Sequence, residues 1–325
     1  MITVTNVSKT FMVHKREPGL TKSLKALFKR TYTPIDAVKN INFSIEQGEI
    51  VGFIGPNGAG KTTTLKMLSG LLFPTNGTLS VAGYTPYERD HDFLKKISLV
   101  MGQKNQLFWD LPAVDTFTLQ KQLYGISDDQ YEANLDVLVD MLDARDFIQQ
   151  QVRKLSLGQR MKCELIAALI YNPSIVFLDE PTIGLDVVTQ KKLRSFIKNY
   201  NKQYNATIIL TSHYMADVQE LCERVIVINN GSLGYDGSLA DLVHTYASHK
   251  TITLVFDTEV EEQQLYKYGT ILSYSPLKTV FSVPRMGMKK TASLMLSQLP
   301  VEDIDIAEIP IEEVIRQVFS ENNDT

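Results

Sequence analysis

The sequence predicts an α/β fold, a mostly parallel sheet flanked by helices, followed by a second and smaller α+β unit. Three observations predict it. Strand-like apolar runs alternate with helical patterns as far as about residue 235. One of those runs, Ile50 to Ile54, is nearly continuous and leads directly into a glycine-rich loop and a helix. Beyond the turn clusters Asn229-Asn230-Gly231 and Gly234 to Gly237 the chain changes to short strands in a different order. At 325 residues it is also too long for one typical core of about 100–200 residues.

In chain order, residues 1–7 and 41–54 read as strands. Apolar runs follow at 97–101, 175–178, 207–211 and 225–228, with helical patterns at 62–70, 131–142, 158–171, 190–204 and 215–222. The second unit reads as a strand over Thr251 to Phe256, a helix over Val260 to Tyr268, and strands over Ile271 to Tyr274 and Val280 to Pro284. A helix over Lys289 to Leu299, a strand over Ile304 to Ile309 and a closing helix over Ile311 to Phe319 complete it. The order β-α-β-β-α-β is that of a ferredoxin-like split βαβ unit.

Composition excludes several classes. Apolar residues make up 44% and charged residues 22%, which is ordinary for a globular chain. The net charge of −4 gives no overall pull towards nucleic acid, and no basic surface interleaved with aromatics supports nucleic acid as a partner. Cys163 and Cys222 lack a CxxC partner or a ligand cluster and read as small buried hydrophobes in a reducing compartment. The longest mainly apolar stretch, Leu165 to Leu178, is broken by Asn172, Pro173 and Ser174, short of the roughly 20 residues a membrane span needs. The first residues alternate like a strand rather than a signal peptide. The expectation is a cytoplasmic protein that reaches a membrane, if at all, by docking on its inner face.

Gly55-Pro56-Asn57-Gly58-Ala59-Gly60-Lys61-Thr62 fits the phosphate-binding pattern GxxxxGK[ST], after a buried strand and before a helix. The glycines let backbone N–H groups wrap phosphates, and the helix start adds partial positive charge. Lys61 is expected to reach the β- and γ-phosphates of ATP and Thr62 to ligate Mg2+, with Thr63 beside them in the nucleotide site. Ile175-Val-Phe-Leu-Asp179-Glu180 is a buried strand ending in two carboxylates. Asp179 is the candidate Mg2+ holder, mostly through water, and Glu180 the general base for the attacking water.

Leu155-Ser156-Leu157-Gly158-Gln159-Arg160 opens a helix about 20 residues before Asp179, Gly184-Leu185-Asp186 follows the carboxylates, and Thr211-Ser212-His213 ends the next strand. With Gln103 after an earlier apolar run, the arrangement over residues 1–240 resembles the ATP-binding-cassette family, motif for motif and in order. The resemblance implies a P-loop cassette domain at 1–240 with a helical subdomain at about 85–165, followed by an accessory or regulatory domain at 241–325. It implies that Gln103 contacts Mg2+ and the catalytic water, that His213 contacts the γ-phosphate, and that Asp186 crosses a subunit interface. Ser156, Gly158 and Gln159 would close over the ATP of a second cassette, at a helix start suited to an anion. Phe11 occupies the place of the adenine-stacking aromatic, with Tyr32 as the other candidate.

Two departures stand out. Leu157 sits where the family's signature carries its first glycine, and Val187 follows Asp186 where proline is frequent. With Trp109-Asp-Leu-Pro112, these features resemble a bacterial subgroup paired with separate exporter-type permeases. One phosphate loop and one signature occur in the chain, so a complete site implies a second cassette, and pumping implies permease subunits on another polypeptide. The expected function is the ATPase subunit of an ABC-2-type exporter. An importer ATPase shares every nucleotide motif, and a non-transport cassette is the third reading. Lacking paired cassettes and long coiled coils, the sequence gives that third reading no support.

A basic insertion spans 14–34. From Lys15 to Arg30 six Lys or Arg face one acid, Glu17, while Leu20, Leu24, Leu27 and Phe28 form a helical stripe. Residues 14–32 are either a surface helix packed on their own domain or an interfacial helix on anionic lipid or the permease. The final helix, Ile311 to Phe319, either caps its domain or helps regulation and dimerisation.

Overall fold

The computed structural model describes residues 1–14, 32–102, 104–246, 249–308 and 311–321. The chain forms two compact units, Met1–Asp236 and Gly237–Thr325. Gln103 and most of the basic insertion, apart from its ends at 14 and 32–34, lie outside the described residues, and so do the expectations placed on them.

The first unit is built on two sheets. A six-stranded sheet has the order β5-β6-β7-β3-β8-β9, with β3 Ile50–Ile54, β5 Ile97–Met101, β6 Ile175–Asp179, β7 Thr207–Thr211, β8 Arg224–Asn229 and β9 Ser232–Ser238. From β5 through β8 neighbouring strands run parallel. Every residue of β6 and β7 is buried, as expected of parallel strands covered on both faces, and this is why they read as unbroken apolar runs. The turn from β8 to β9 holds Asn230 at φ 49° and Gly231 at φ 82°, the paired positive angles of a tight two-residue return.

The second sheet was not legible as such. Its three antiparallel strands have the order β2-β1-β4, with β1 Ile2–His14, β2 Tyr32–Ile45 and β4 Asn76–Val81. The stretch expected as one strand over 41–54 is therefore split between two sheets, and β1 runs twice as far as the alternation at residues 1–7 suggested. Phe11 consequently lies within β1, opposite Ile35, rather than at its end. The helix Lys61–Leu68 lies in the core between the sheets, with Leu65, Met67 and Leu68 packed among Ile2, Ile41, Phe43 and Phe53. Phe43 meets Phe53 edge-on at 5.3 Å, joining the two sheets.

Helices Ala113–Tyr124, Asp128–Met141 and Leu157–Leu169 lie between β5 and β6 in the chain, and the helix Val187–Tyr204 follows β6. In the second unit β10 His249–Phe256, β11 Thr270–Ser275, β12 Lys278–Pro284 and β13 Val301–Glu308 form an antiparallel sheet of order β11-β12-β10-β13. That order is the split βαβ arrangement expected from the sequence. Its core gathers Ile252, Leu254, Phe281 and Val283 from the sheet with Leu265, Ala292 and Met295 from the helices. The closing helix Ile311–Glu321 buries Ile311, Val314, Ile315 and Val318 and packs on the helix Leu239–Tyr246.

Candidate active site

Because β6, β7 and β3 are neighbours and parallel, their C-terminal ends deliver three loops to one place, where open α/β sheets bind ligands. β3 delivers the glycine-rich loop, β6 the two carboxylates, and β7 the Thr211-Ser212-His213 segment.

The loop from Gly55 to Thr62 is shaped by contacts only glycine tolerates. Gly58 and Gly60 hold φ of 80° and 108°. A Cβ on Gly55 would lie 2.2 Å from the carbonyl oxygen of Ile228, so the loop is pressed against β8. Gly60 caps the helix Lys61–Leu68, and its oxygen accepts from the Thr64 N–H at 2.9 Å and the Thr64 hydroxyl at 3.0 Å. Lys61 is 5% exposed, and its Nζ donates to the carbonyl oxygens of Gly55 at 2.6 Å and Pro56 at 3.0 Å. That arms it over the loop with a third N–H remaining for another acceptor. Burial pulls the Lys61 ammonium below the usual lysine range, opposed by the charges of Glu180 and then Asp179.

Asp179 joins the loop to β7. Its Oδ2 accepts from the Thr62 hydroxyl at 2.9 Å and its Oδ1 from the Thr211 hydroxyl at 2.6 Å. The register pairs Asp179 with Thr211, so the contact is fixed by strand alignment. Thr211 stands in the quoted motif but was not singled out from sequence, because a threonine closing an apolar strand carries no signal of its own.

Glu180 adopts φ 55°, a left-handed conformation that is uncommon and costly, on the order of 1–2 kcal/mol, for a residue with a Cβ. The turn is held by its own N–H, which donates to the Thr211 carbonyl at 3.1 Å and lies 3.0 Å from the Thr211 hydroxyl oxygen. The result brings Glu180 Oε1 to 2.7 Å from His213 Nε2. Gly102 backs the same turn: a Cβ there would lie 2.1 Å from the Glu180 carbonyl oxygen.

The other predicted residues form a separate group. Ser156 caps the helix Leu157–Leu169 in a reciprocal box: its hydroxyl accepts from Gln159 N–H at 3.2 Å and Gln159 Oε1 accepts from Ser156 N–H at 2.9 Å. The Ser156 hydroxyl proton is not used by the box. Asp186 caps the helix Val187–Tyr204, taking the Thr189 N–H at 3.0 Å and the Thr189 hydroxyl at 2.6 Å, which hold its carboxyl below the usual range. The two helix starts approach each other, since a Cβ on Gly158 would meet Thr189 Cγ2 at 3.0 Å and one on Gly184 would meet Leu157 Cδ2 at 3.0 Å. Phe11 is 37% and Tyr32 46% exposed on the β1–β2 hairpin. The same strand β2 carries Ala37, whose oxygen closely approaches Gly60.

Sequence reading also missed Glu164. It is 3% exposed, and its carboxylate accepts the N–H groups of Gln106 at 2.9 Å and Leu107 at 3.4 Å, tying the loop after β5 to the signature helix. Burial raises its pKa against those hydrogen bonds. Cys163 and Cys222 are buried and free, their thiols pushed up to about 12 chiefly by burial, which suits a packing role.

The family described as "ABC transporter" matches residues 38–183, and the "EvrA-like ABC transporter, C-terminal domain" matches 248–307. The ATP-binding protein NatA of Bacillus subtilis is 32% identical over 248 residues, 76% of this chain and 94% of that one. The chain belongs to the ABC transporter ATP-binding family. This cassette is also similar to the linearmycin resistance ATP-binding protein LnrL of B. subtilis, 31% identical over 66% of this chain and 68% of that protein. Among solved structures it is similar to the dimeric bacterial ABC transporter cassette MJ0796, 27% identical with a TM-score of 0.61. The match covers 74% of this chain and 99% of that one. A post-hydrolysis dimer of the same cassette with ADP and Pi is 26% identical with a TM-score of 0.61, covering 74% and 99% of the two chains. The chain is an ATPase, the ATP-binding subunit of an ABC transporter, with the P-loop α/β fold that the motifs indicated.

Proposed function

We propose that this cassette hydrolyses Mg-ATP to drive a separate permease of the ABC-2 exporter type. The observation that carries the catalytic reading is the convergence of Lys61, Thr62, Asp179, Glu180 and His213 at adjacent strand ends. Lys61 binds the β- and γ-phosphates. Thr62 and Asp179 present hydroxyl and carboxylate oxygens 2.9 Å apart, a hard-oxygen pair that fits Mg2+ and leaves its remaining coordination to water and phosphate. Bound there, Mg2+ would neutralise charge on the phosphate oxygens; Gln103 is the further ligand implied by the motif. Glu180 takes the proton of the attacking water, and His213, within hydrogen-bond reach of it, orients Glu180 and meets the γ-phosphate. Phe11 supports the adenine.

The second cassette supplies the opposing signature, and the capping box fits this: the Ser156 hydroxyl accepts from the helix and keeps its proton for a phosphate oxygen. Val187 and Val188 are 76% and 67% exposed beside Asp186, an apolar pair suited to burial by a partner cassette. Permease docking is supported by a groove of about 190 Å³ lined by the exposed Leu71 with Gln106, Gln120 and Tyr124. No helix among the described residues is long and apolar enough to cross a membrane. Export rather than import is favoured by the resistance function in the name of LnrL. The C-terminal unit is then accessory.

Glu180→Gln tests the chemistry. Turnover should fall roughly 10²–10⁴-fold while ATP still binds, and Mg-ATP should hold the variant as a dimer in size-exclusion chromatography. Near wild-type turnover would remove Glu180 as the base.

A further inference from the structure

A buried carboxylate that the chemistry above does not use is Asp217, on the short helix Met215–Leu221, with no exposed surface. Three elements converge on its carboxylate. Oδ2 accepts the Thr182 hydroxyl at 2.5 Å and the Ser212 hydroxyl at 2.6 Å, and Oδ1 accepts Arg194 Nη1 at 2.9 Å. Arg194 is itself 7% exposed and donates through Nε to Glu220 at 2.6 Å, so the buried charge is matched.

The positions of the donors give the cluster its meaning. Thr182 lies two residues after Glu180, in a turn closed by the Ile183 N–H on the Glu180 oxygen at 3.3 Å. Ser212 immediately precedes His213. Its oxygen also accepts the Tyr214 N–H at 3.0 Å, so one hydroxyl shapes the turn that carries the histidine and anchors it to Asp217. Arg194 comes from the helix that Asp186 caps. The two halves of the pair Glu180–His213 follow different strands, β6 and β7, and each is strapped by a neighbouring hydroxyl to the same carboxylate oxygen. Separations of this kind matter because a displacement of about 1 Å in a reacting group can cost about 100-fold in rate.

We propose that Asp217 is a positioning residue for ATP hydrolysis, holding the Glu180 turn through Thr182 and the His213 turn through Ser212, with Arg194 fixing its own orientation. The proposal rests on Glu180 and His213 acting as described above. It assigns to Asp217 an effect on turnover, not on ATP affinity, because none of its contacts reaches the phosphate loop.

The test separates the two straps. Asp217→Asn leaves an amide that cannot accept from both hydroxyls and Arg194 at once, and should lower kcat by about 100-fold with KM for ATP changed less than about threefold. As that change removes a buried charge beside Arg194, the milder Ser212→Ala and Thr182→Val serve as independent probes. Each should lower kcat by about 10-fold and leave binding of a fluorescent ATP analogue intact. Double-mutant cycles then give a readout that general destabilisation would not. Ser212→Ala should add no further loss in a His213→Ala background, nor Thr182→Val in Glu180→Gln, measured by single-turnover hydrolysis. Wild-type kcat in both milder variants, or losses that simply multiply in both cycles, overturns the positioning role. Glu180→Gln alone distinguishes the failures: if it loses turnover while the milder variants do not, only the role of Asp217 is wrong. If it keeps turnover, the base assignment falls and this proposal falls with it.

Discussion

Lys61 is held in a setting where its charge is disfavoured until phosphate arrives. Burial sets its folded-state pKa below the unfolded value, so between those two values the unfolded chain binds more protons and stability of the nucleotide-free protein rises with pH. Polyphosphate favours the ammonium and reverses the shift, so ATP binding should take up protons on the alkaline side and weaken as pH rises through the lowered pKa. Calorimetric titrations on that alkaline side, in two buffers of different ionisation enthalpy, would measure this; a heat independent of buffer would contradict it. Gly102 offers a second residue-scale prediction. Its added Cβ would lie 2.1 Å from the Glu180 carbonyl oxygen, so Gly102→Ala must push the left-handed Glu180 turn aside. Steady-state kinetics should show kcat reduced by about 10–100-fold with ATP affinity retained, since the clash is with the turn of the proposed base and not with the glycine-rich loop.

At the scale of elements, the helix Leu157–Leu169 is started by a side chain that is also proposed to meet the partner's ATP. Ser156→Ala should cost about 1 kcal/mol of stability through the lost cap, read by urea denaturation, and lower turnover as well. An unchanged denaturation midpoint would mean the cap contributes nothing. The same helix was legible because its apolar spacing is strong and its motif starts it. The helix Ala113–Tyr124 was not, since it buries only Ala113, Thr116 and Phe117 and shows little of a stripe. β1 was read short for a related reason. From Ser8 to Val13 its residues are only partly buried or exposed, and what holds Phe11 to His14 in a strand is pairing with Ile35 to Tyr32, across a long interval of sequence.

For the whole molecule, hydrolysis requires two cassettes, a second copy or a close paralogue, if each signature completes the other's site. Arg at both Val187 and Val188 would place charge on the exposed apolar pair next to Asp186. The double variant should bind ATP as a monomer and lose most turnover, and its specific activity should not recover with protein concentration; light scattering with Mg-ATP reads the assembly. A dimer of undiminished activity would place the interface elsewhere. What the sequence by itself determined is the set of local motifs and their order along the chain. A glycine-rich loop before a helix, two carboxylates after an apolar strand and a capped signature are local patterns, each set by backbone sterics or by the residues a phosphate or a proton needs. The tertiary structure alone decided which of these patterns meet. Strand order β6-β7-β3 set Thr211 against Asp179 and Glu180 against His213, and put Thr182, Ser212 and Arg194 around Asp217. Neighbouring parallel strands are joined through long crossovers and chosen by burial of both faces, so no short-range pattern in the chain encodes which strand ends lie side by side.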